Sequence, residues 1–346
     1  MTAKLRAGLV GLGMMGRHHA RILRRLDDVD LVAVADPRGD PHRAAEGLPI
    51  VDTVDQLLEH RLDYCVVAVP TADHSTVGHA LAAAGVHALI EKPLAPSLAE
   101  AATLAETFDA AGLVGAVGHT ERYNPALLAL RARLARGQVG TVYQMATRRQ
   151  GPFPPRICDV GVVQDLATHD IDLVTWVTGR PVASITARTT SRSGRHHEDL
   201  VATVGELTDG TITSHLINWL SPMKERVTIA TGERGCLVAD TLHADLTYYA
   251  NGSTTTEWAA AEVFRGVTEG DITRYAIAKK EPLMSEHEAF RDAVLGRDAE
   301  VVGLWEAAHT VAVAEAVLTS AASGQTVAPT VPRPRRLGDL SRRPAA

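Results

Sequence analysis

Residues 5–36 carry the pattern that most limits what this chain can become. Leu5 to Val10 is a short apolar run of the kind that makes a buried strand. Gly11-x-Gly13-x-x-Gly16 follows at once, then a helical stretch through Leu26. The first glycine permits a tight turn, the second lets backbone approach a pyrophosphate, and the third lets helix pack on strand. Phosphates then sit at the helix N-terminus, where free N–H groups point at them. A second apolar run, DLVAVADP, brings Asp36 twenty residues after Gly16, where an acid holds the adenosine ribose hydroxyls. A carboxylate there repels a ribose 2′-phosphate, so NAD is expected over NADP. Arg38 is the neighbour that would admit NADP.

Strand and helix keep alternating to about residue 120. YCVVAVP, VHALIEKP and LVGAVGH read as strands. HSTVGHALAAAG reads as a helix closed by Gly85, and SLAEAATLAETFDAAG as one capped by Ser97 and ended by Gly112. Such alternation predicts an α/β fold with a doubly wound parallel sheet. Ligands bind at the carboxyl ends of its strands, where Pro70, Thr71, His74, Glu91, Lys92 and His119 fall. The expected cofactor contacts are Gly11, Gly13, Met14, Met15, Gly16, Asp36, Arg38, Pro70, Thr71, His74, Glu91 and Lys92. His18 and His19 read as surface or packing histidines of the first helix. The 346 residues exceed one typical core and predict two domains.

The net charge of −6 gives no electrostatic footprint for nucleic acid or an anionic membrane. Cys65, Cys158 and Cys236 are far apart and predict neither disulfide framework nor metal site. A reduced, cytoplasmic setting is expected. No run approaches the roughly 20 apolar residues of a membrane helix.

With GLGMMG, EKPL, GHTERYNPA and QDLATHDIDLVTW in this order, the chain resembles the Gfo/Idh/MocA family of sugar and cyclitol oxidoreductases. Glu91-Lys92-Pro93 matches its E-K-P motif, and Asp165-x-x-x-His169 its D-x-x-x-H motif. The resemblance covers nearly the whole chain. It implies an N-terminal NAD-binding Rossmann domain (1–120). An α/β domain with a large, mostly antiparallel open sheet follows (121–330), for substrate binding and oligomerisation. Residues 331–346 are expected to be a flexible tail. The later runs VASITARTT, LVATVGELTDGTITSHLINWL and RVTIATGERGCLVAD read as strands broken by turns, and two helices close the domain. A homodimer or homotetramer is implied, and no metal.

Oxidising a secondary alcohol removes a hydride and a proton. The cofactor takes the first and the protein must take the second. His169 is the expected base, because histidine titrates near working pH. Asp165, four residues earlier on one helix face, orients it or binds the same hydroxyl. Lys92 stabilises developing alkoxide charge. Asp170 and Asp172 are assigned no catalytic role, and Asp172 is expected to fix its helix against the Rossmann domain.

For substrate, the block RRQGPFPPRICDVGVVQDLATHDIDL resembles the branch that oxidises the C3 hydroxyl of UDP-N-acetylglucosamine, and also aminoglycoside-assembly dehydrogenases. Both make a 3-keto sugar for a pyridoxal-phosphate aminotransferase. Arg148, Arg149 and Arg156 are candidates for a diphosphate, because Arg binds phosphate as a fork. Tyr123 and Asn124 are candidates for sugar hydroxyls. Asp159, Glu198 and Asp199 would serve a cationic aminoglycoside. Thr120-Glu121 departs from the family pattern before Arg122. The alternatives are an inositol-type dehydrogenase, an NAD-dependent glycosidase and a non-catalytic NAD-binding sensor.

Overall fold

In the computed structural model, residues 4–154, 160–252 and 268–330 are described. The chain forms two compact units. One holds Met1–Thr120 and Glu281–Ala312, the other Glu121–Lys280 and Val313–Thr330.

The first unit is a six-stranded sheet in the order β3-β2-β1-β4-β5-β6. Its strands are β1 (Leu5–Val10), β2 (Val29–Ala35), β3 (Ile50–Val51), β4 (Tyr64–Val67), β5 (His87–Glu91) and β6 (Gly115–Gly118). All neighbours are parallel, and this is the doubly wound dinucleotide-binding order. The strands are apolar on both faces because both are covered. In β4, Tyr64 and Val66 join one core, while Cys65 and Val67 join the other. Helices α1 (Met14–Leu23), α2 (Val54–Leu58), α3 (His74–Ala83) and α4 (Leu98–Ala111) connect the strands. The caps of α4 fall where the sequence puts them: Ser97 accepts the Glu100 N–H, and Gly112 is left-handed at φ 66°.

The first unit takes in Glu281–Ala312 as well as the chain to Thr120. Helix α7 (Pro282–Val294) buries Leu283, Glu286, His287 and Phe290, one face at i, i+3, i+4 and i+7. The Phe290 ring meets Tyr64 of β4 edge-on at 5.4 Å. The Val117 N–H donates to Val302 O at 2.9 Å, tying the following segment to β6.

The second unit is an eight-stranded sheet, ordered β14-β13-β12-β11-β7-β10-β9-β8. The strands are β7 (Val142–Pro152), β8 (Val182–Thr190), β9 (Leu200–Leu207), β10 (Ile212–Asn218), β11 (Leu220–Gly232), β12 (Gly235–Asp240), β13 (Asp245–Gly252) and β14 (Thr268–Tyr275). Among the described residues of this sheet only β7 and β10 pair in parallel, so the large, mostly antiparallel sheet is as expected. Helices α5 (Pro125–Ala135) and α6 (Thr168–Thr178), with the Val313–Val317 stretch of α8 (Leu304–Ser323), share one core with one sheet face. Alternation along β7 sends Met145, Thr147 and Arg149 into that face, and Gln144, Ala146 and Arg148 to the other. Val204, Ile212, Leu216, Tyr249 and Ile272 also stand exposed on the outer face.

Candidate active site

The glycine turn of the first unit has a shape that each glycine sets differently. Gly11 has φ +93°, and a Cβ there would lie 2.5 Å from Ala68 O. A Cβ on Gly16 would lie 1.9 Å from Gly11 O. A Cβ on Gly13 would meet nothing within 4 Å. So the first and third glycines close the turn onto strand and helix, and the second faces open space. Gly13 is also the N-cap of α1 and supplies no side-chain cap, so the first N–H groups of the helix are left for a ligand. Met14 is exposed and Met15 half-buried beside it. A dinucleotide pyrophosphate fits this cradle.

Asp36 directly follows β2 and is buried. Burial opposes its charge, but the N–H groups of Leu12 (2.8 Å) and Arg38 (2.9 Å) donate to it and hold its carboxyl below the usual range. The anion expected at the ribose is therefore present. The exposed Arg38 guanidinium lies 3.4 Å away.

Lys92 follows β5 and is half-buried, and Pro70 and Thr71 lie past β4 with their surfaces part-open. Glu91 and His74, expected to touch the cofactor, are spent instead on the protein interior. Glu91 Oε1 lies 2.8 Å from His19 Nε2, and Glu91 Oε2 accepts the Lys92 N–H at 3.2 Å. His74 has its ring nitrogens 2.9 Å from Pro93 O and 3.1 Å from Val69 O, bracing two strand-end loops. Burial keeps its pKa below the usual value. His19 takes the packing alternative, fully buried, and is also hydrogen-bonded on both sides.

In the second unit, GVVQDLATHD is not one regular helix. Val163–Ala167 forms a π-helical turn running into α6, and the Thr168 N–H reaches back five residues to Val163 O. Wide turns of this kind cluster at functional sites. Asp165 sits within it, buried, and His169 follows in the first turn of α6, half-buried. The turn begins against Glu198, whose Oε1 accepts the Val163 N–H at 3.0 Å. Gly161 makes room for that carboxylate, since a Cβ there would lie 1.9 Å from Glu198 Oε1. Asp199 accepts the N–H groups of Arg192 (2.8 Å) and Ser193 (2.7 Å). Both acids, expected for a cationic substrate, hold backbone instead.

A buried ionic network underlies the helix. Arg149 donates to Asp170 at 2.7 Å and to Glu121 at 3.0 Å, and Arg226 donates to Glu121 at 3.2 Å. Burial opposes the Glu121 charge, yet the two arginines hold its carboxyl below the usual range. Arg122 donates to Asp172 at 2.7 Å and lies over the Trp176 ring. Asp172 thus fixes α6 to Arg122, a residue of its own unit.

Three substrate expectations are corrected. Arg149 is buried and committed to carboxylates. Arg148 lies on the outer sheet face, paired with Glu225 at 2.6 Å. Asn124 caps α5, its Oδ1 accepting the Ala126 N–H and its Nδ2 donating to Thr241 O, both at 3.0 Å. Tyr123 is half-buried next to it. Arg156 and Asp159 lie outside the described residues, as does the 331–346 tail. Arg226, unmarked in the sequence, is the part-exposed arginine paired across the strands with Arg149 on the inner face. Among the described residues no cluster of three or more His, Cys, Asp or Glu side chains forms a metal-holding group. No described helix is long and apolar enough to cross a membrane.

Comparison with known proteins matches residues 5–119 to the oxidoreductase family model with an NAD-binding Rossmann fold. Residues 127–238 match the GFO/IDH/MocA C-terminal domain. UDP-N-acetylglucosamine 3-dehydrogenase of Acidithiobacillus ferrooxidans is 34% identical over 53% of this chain and 57% of that protein. Inositol 2-dehydrogenase 4 of Saccharopolyspora erythraea is 32% identical over 54% and 57%. The chain therefore spans little more than half the length of these curated relatives. In structure, the Acidithiobacillus enzyme GnnA superposes with a TM-score of 0.80 at 26% identity, over 93% of this chain and 99% of that one. GenD2 from gentamicin A biosynthesis, solved with NAD, gives 0.79 at 25% identity over 95% and 97%. The open cradle at Gly13 and the Asp36 carboxylate suit the NAD-binding match of the first unit, and both models name one family: the chain belongs to the Gfo/Idh/MocA oxidoreductase family, and its first unit is an NAD-binding Rossmann domain.

Proposed function

We propose that this chain oxidises the C3 hydroxyl of a pyranose sugar to a 3-keto sugar, with NAD as cofactor and a sugar nucleotide such as UDP-N-acetylglucosamine as substrate. The observation that carries this reading is the likeness to UDP-N-acetylglucosamine 3-dehydrogenase over 93% of the chain. The likeness to GenD2 favours a second substrate, an aminoglycoside intermediate. The new carbonyl is the group a pyridoxal-phosphate aminotransferase converts to an amine. The exposed apolar residues of the outer sheet face support assembly as a homo-oligomer through that face.

Bound NAD supplies a hydride acceptor. Lys92, Asp165 and His169 are the residues we assign to the rest of the chemistry. His169 takes the hydroxyl proton. Asp165 orients the imidazole or accepts from the same hydroxyl. The Lys92 ammonium donates to the reacting oxygen and stabilises charge as it develops. Tyr123, Arg156 and Arg226 are the remaining candidates to touch sugar.

The test is NADH formation with NAD or NADP and UDP-N-acetylglucosamine, UDP-glucose, inositol or a pseudotrisaccharide aminoglycoside. An aminotransferase and amino donor pull each equilibrium forward. Turnover with UDP-N-acetylglucosamine is expected, and its loss in His169→Ala and Lys92→Ala with NAD binding kept. Turnover with inositol alone would replace the substrate assignment. Near wild-type rates in both variants would refute the catalytic one.

A further inference from the structure

Four acid and imidazole groups lie inside the first unit where an apolar core is the rule. His19 of α1, Glu91 of β5, and Glu286 and His287 of α7 are each at most 7% exposed. They form a line. His287 Nε2 is 2.8 Å from His19 Nδ1, and His19 Nε2 is 2.8 Å from Glu91 Oε1. Glu91 Oε2 accepts the backbone N–H of Lys92. The sequence gives three of these residues no role, and a buried polar group without purpose costs stability.

The proton positions follow from the chemistry of the partners. Burial opposes the Glu91 charge, but the His19 hydrogen bond and the Lys92 charge hold its carboxyl below the usual range. Glu91 is thus an acceptor, and His19 Nε2 must carry a proton. Burial keeps His287 well below the usual imidazole value. A neutral His287 with its proton on Nε2 donates to Nδ1 of His19. Every hydrogen bond in the line then points toward Glu91. Burial, with Glu91 nearby, raises the Glu286 carboxyl well above its usual value. Glu286 is a neutral acid that accepts from Thr120 Oγ1 at 2.9 Å. It adds no second negative charge beside Glu91.

We propose that His287 and His19 are positioning residues for Lys92: a donor relay from α7 through α1 fixes the Glu91 carboxylate, and that carboxylate pins the main chain from which the lysine ammonium projects. The relay makes residues 281–312 part of the working apparatus of the Rossmann unit. The assignment rests on Lys92 serving the oxidation proposed above.

The test compares His19→Leu, His287→Leu, His287→Gln and Glu91→Gln in the full chain, with one readout that needs no substrate. That readout is acylation of Lys92 by an amine reagent, followed by peptide mass spectrometry against the exposed Lys279. Unpinning is expected to raise Lys92 labelling several-fold in His19→Leu and Glu91→Gln. The double variant should add nothing to Glu91→Gln alone, because the two act in series. With the sugar that turns over, kcat should fall on the order of 10- to 100-fold, as for a misplaced catalytic group, with KM and NAD affinity near wild type. His287→Gln, which keeps a donor, should restore most of what His287→Leu loses. Unchanged Lys92 labelling in variants that still bind NAD would overturn the relay. So would additive losses in the double variant. Absence of turnover in the wild type would count against the proposed oxidation and leave the labelling result to decide the relay.

Discussion

The three glycines of the first turn make a sharp prediction, because the same substitution should do opposite things at two of them. Gly13→Ala places a Cβ where no protein atom lies within 4 Å, at an ordinary φ of −68°. Folding should lose little, about 0.5–1 kcal/mol, because Ala is a poorer N-cap than Gly. The methyl should occupy the space the pyrophosphate needs. A 100-fold loss of NAD affinity is expected, about 2.7 kcal/mol. Gly16→Ala places a Cβ 1.9 Å from a backbone oxygen, and the main chain cannot yield as a side chain would. It should cost about 3 kcal/mol or more in folding. The assay is thermal denaturation with and without NAD. At 100 times the wild-type Kd, NAD stabilises wild type by about 2.7 kcal/mol, and a variant binding 100-fold more weakly by about 0.4 kcal/mol. At roughly 2–4 °C per kcal/mol for a domain of this size, the NAD-induced shifts are about 5–10 °C and about 1 °C. A Gly13→Ala protein with the full wild-type shift would refute the reading of Gly13 as the point of pyrophosphate approach.

Arg122→Met leaves Asp172 charged and buried, and should cost about 3–5 kcal/mol in a urea melt. Arg122→Met with Asp172→Leu should recover most of it, and equal losses in single and double variants would contradict the pairing. Asn124→Ala should lower stability by about 1–2 kcal/mol through its lost cap while the sugar KM stays put. A raised KM at unchanged stability would return Asn124 to the substrate. The folded-state pKa of Glu286 lies above its unfolded value. The unfolded chain therefore ionises first as pH rises through the usual carboxylate range, and wild type loses stability relative to Glu286→Gln. Urea midpoints of the two proteins should diverge from pH 4 to pH 7.5, and a constant gap would disprove the burial argument.

Much of the fold is legible in the chain. The strand–glycine–helix–strand pattern, the Ser97 and Gly112 caps and the alternation of β7 are local, set by neighbours one to four residues away. The motifs also name Lys92, Asp165 and His169 without a structure. Other residues mislead because a motif gives no direction. Asn124 looks like a sugar ligand until the start of α5 beside it makes it a cap. Arg148 and Arg149 look alike until pairing with β10 and β11 sends them to opposite faces.

The sequence by itself determined the parallel sheet and the dinucleotide turn, because periodicity and glycine placement act through short-range sterics. Only the tertiary structure decided what the polar side chains face. His19 and His287 are 268 residues apart in the chain, and no local pattern marks them as partners. Glu198 reaches Val163 across 35 residues, and helix α7 returns to the Rossmann unit because its buried face needs Tyr64. Contacts of that range form only when the chain has collapsed, and they decide which polar groups serve the site and which hold the scaffold.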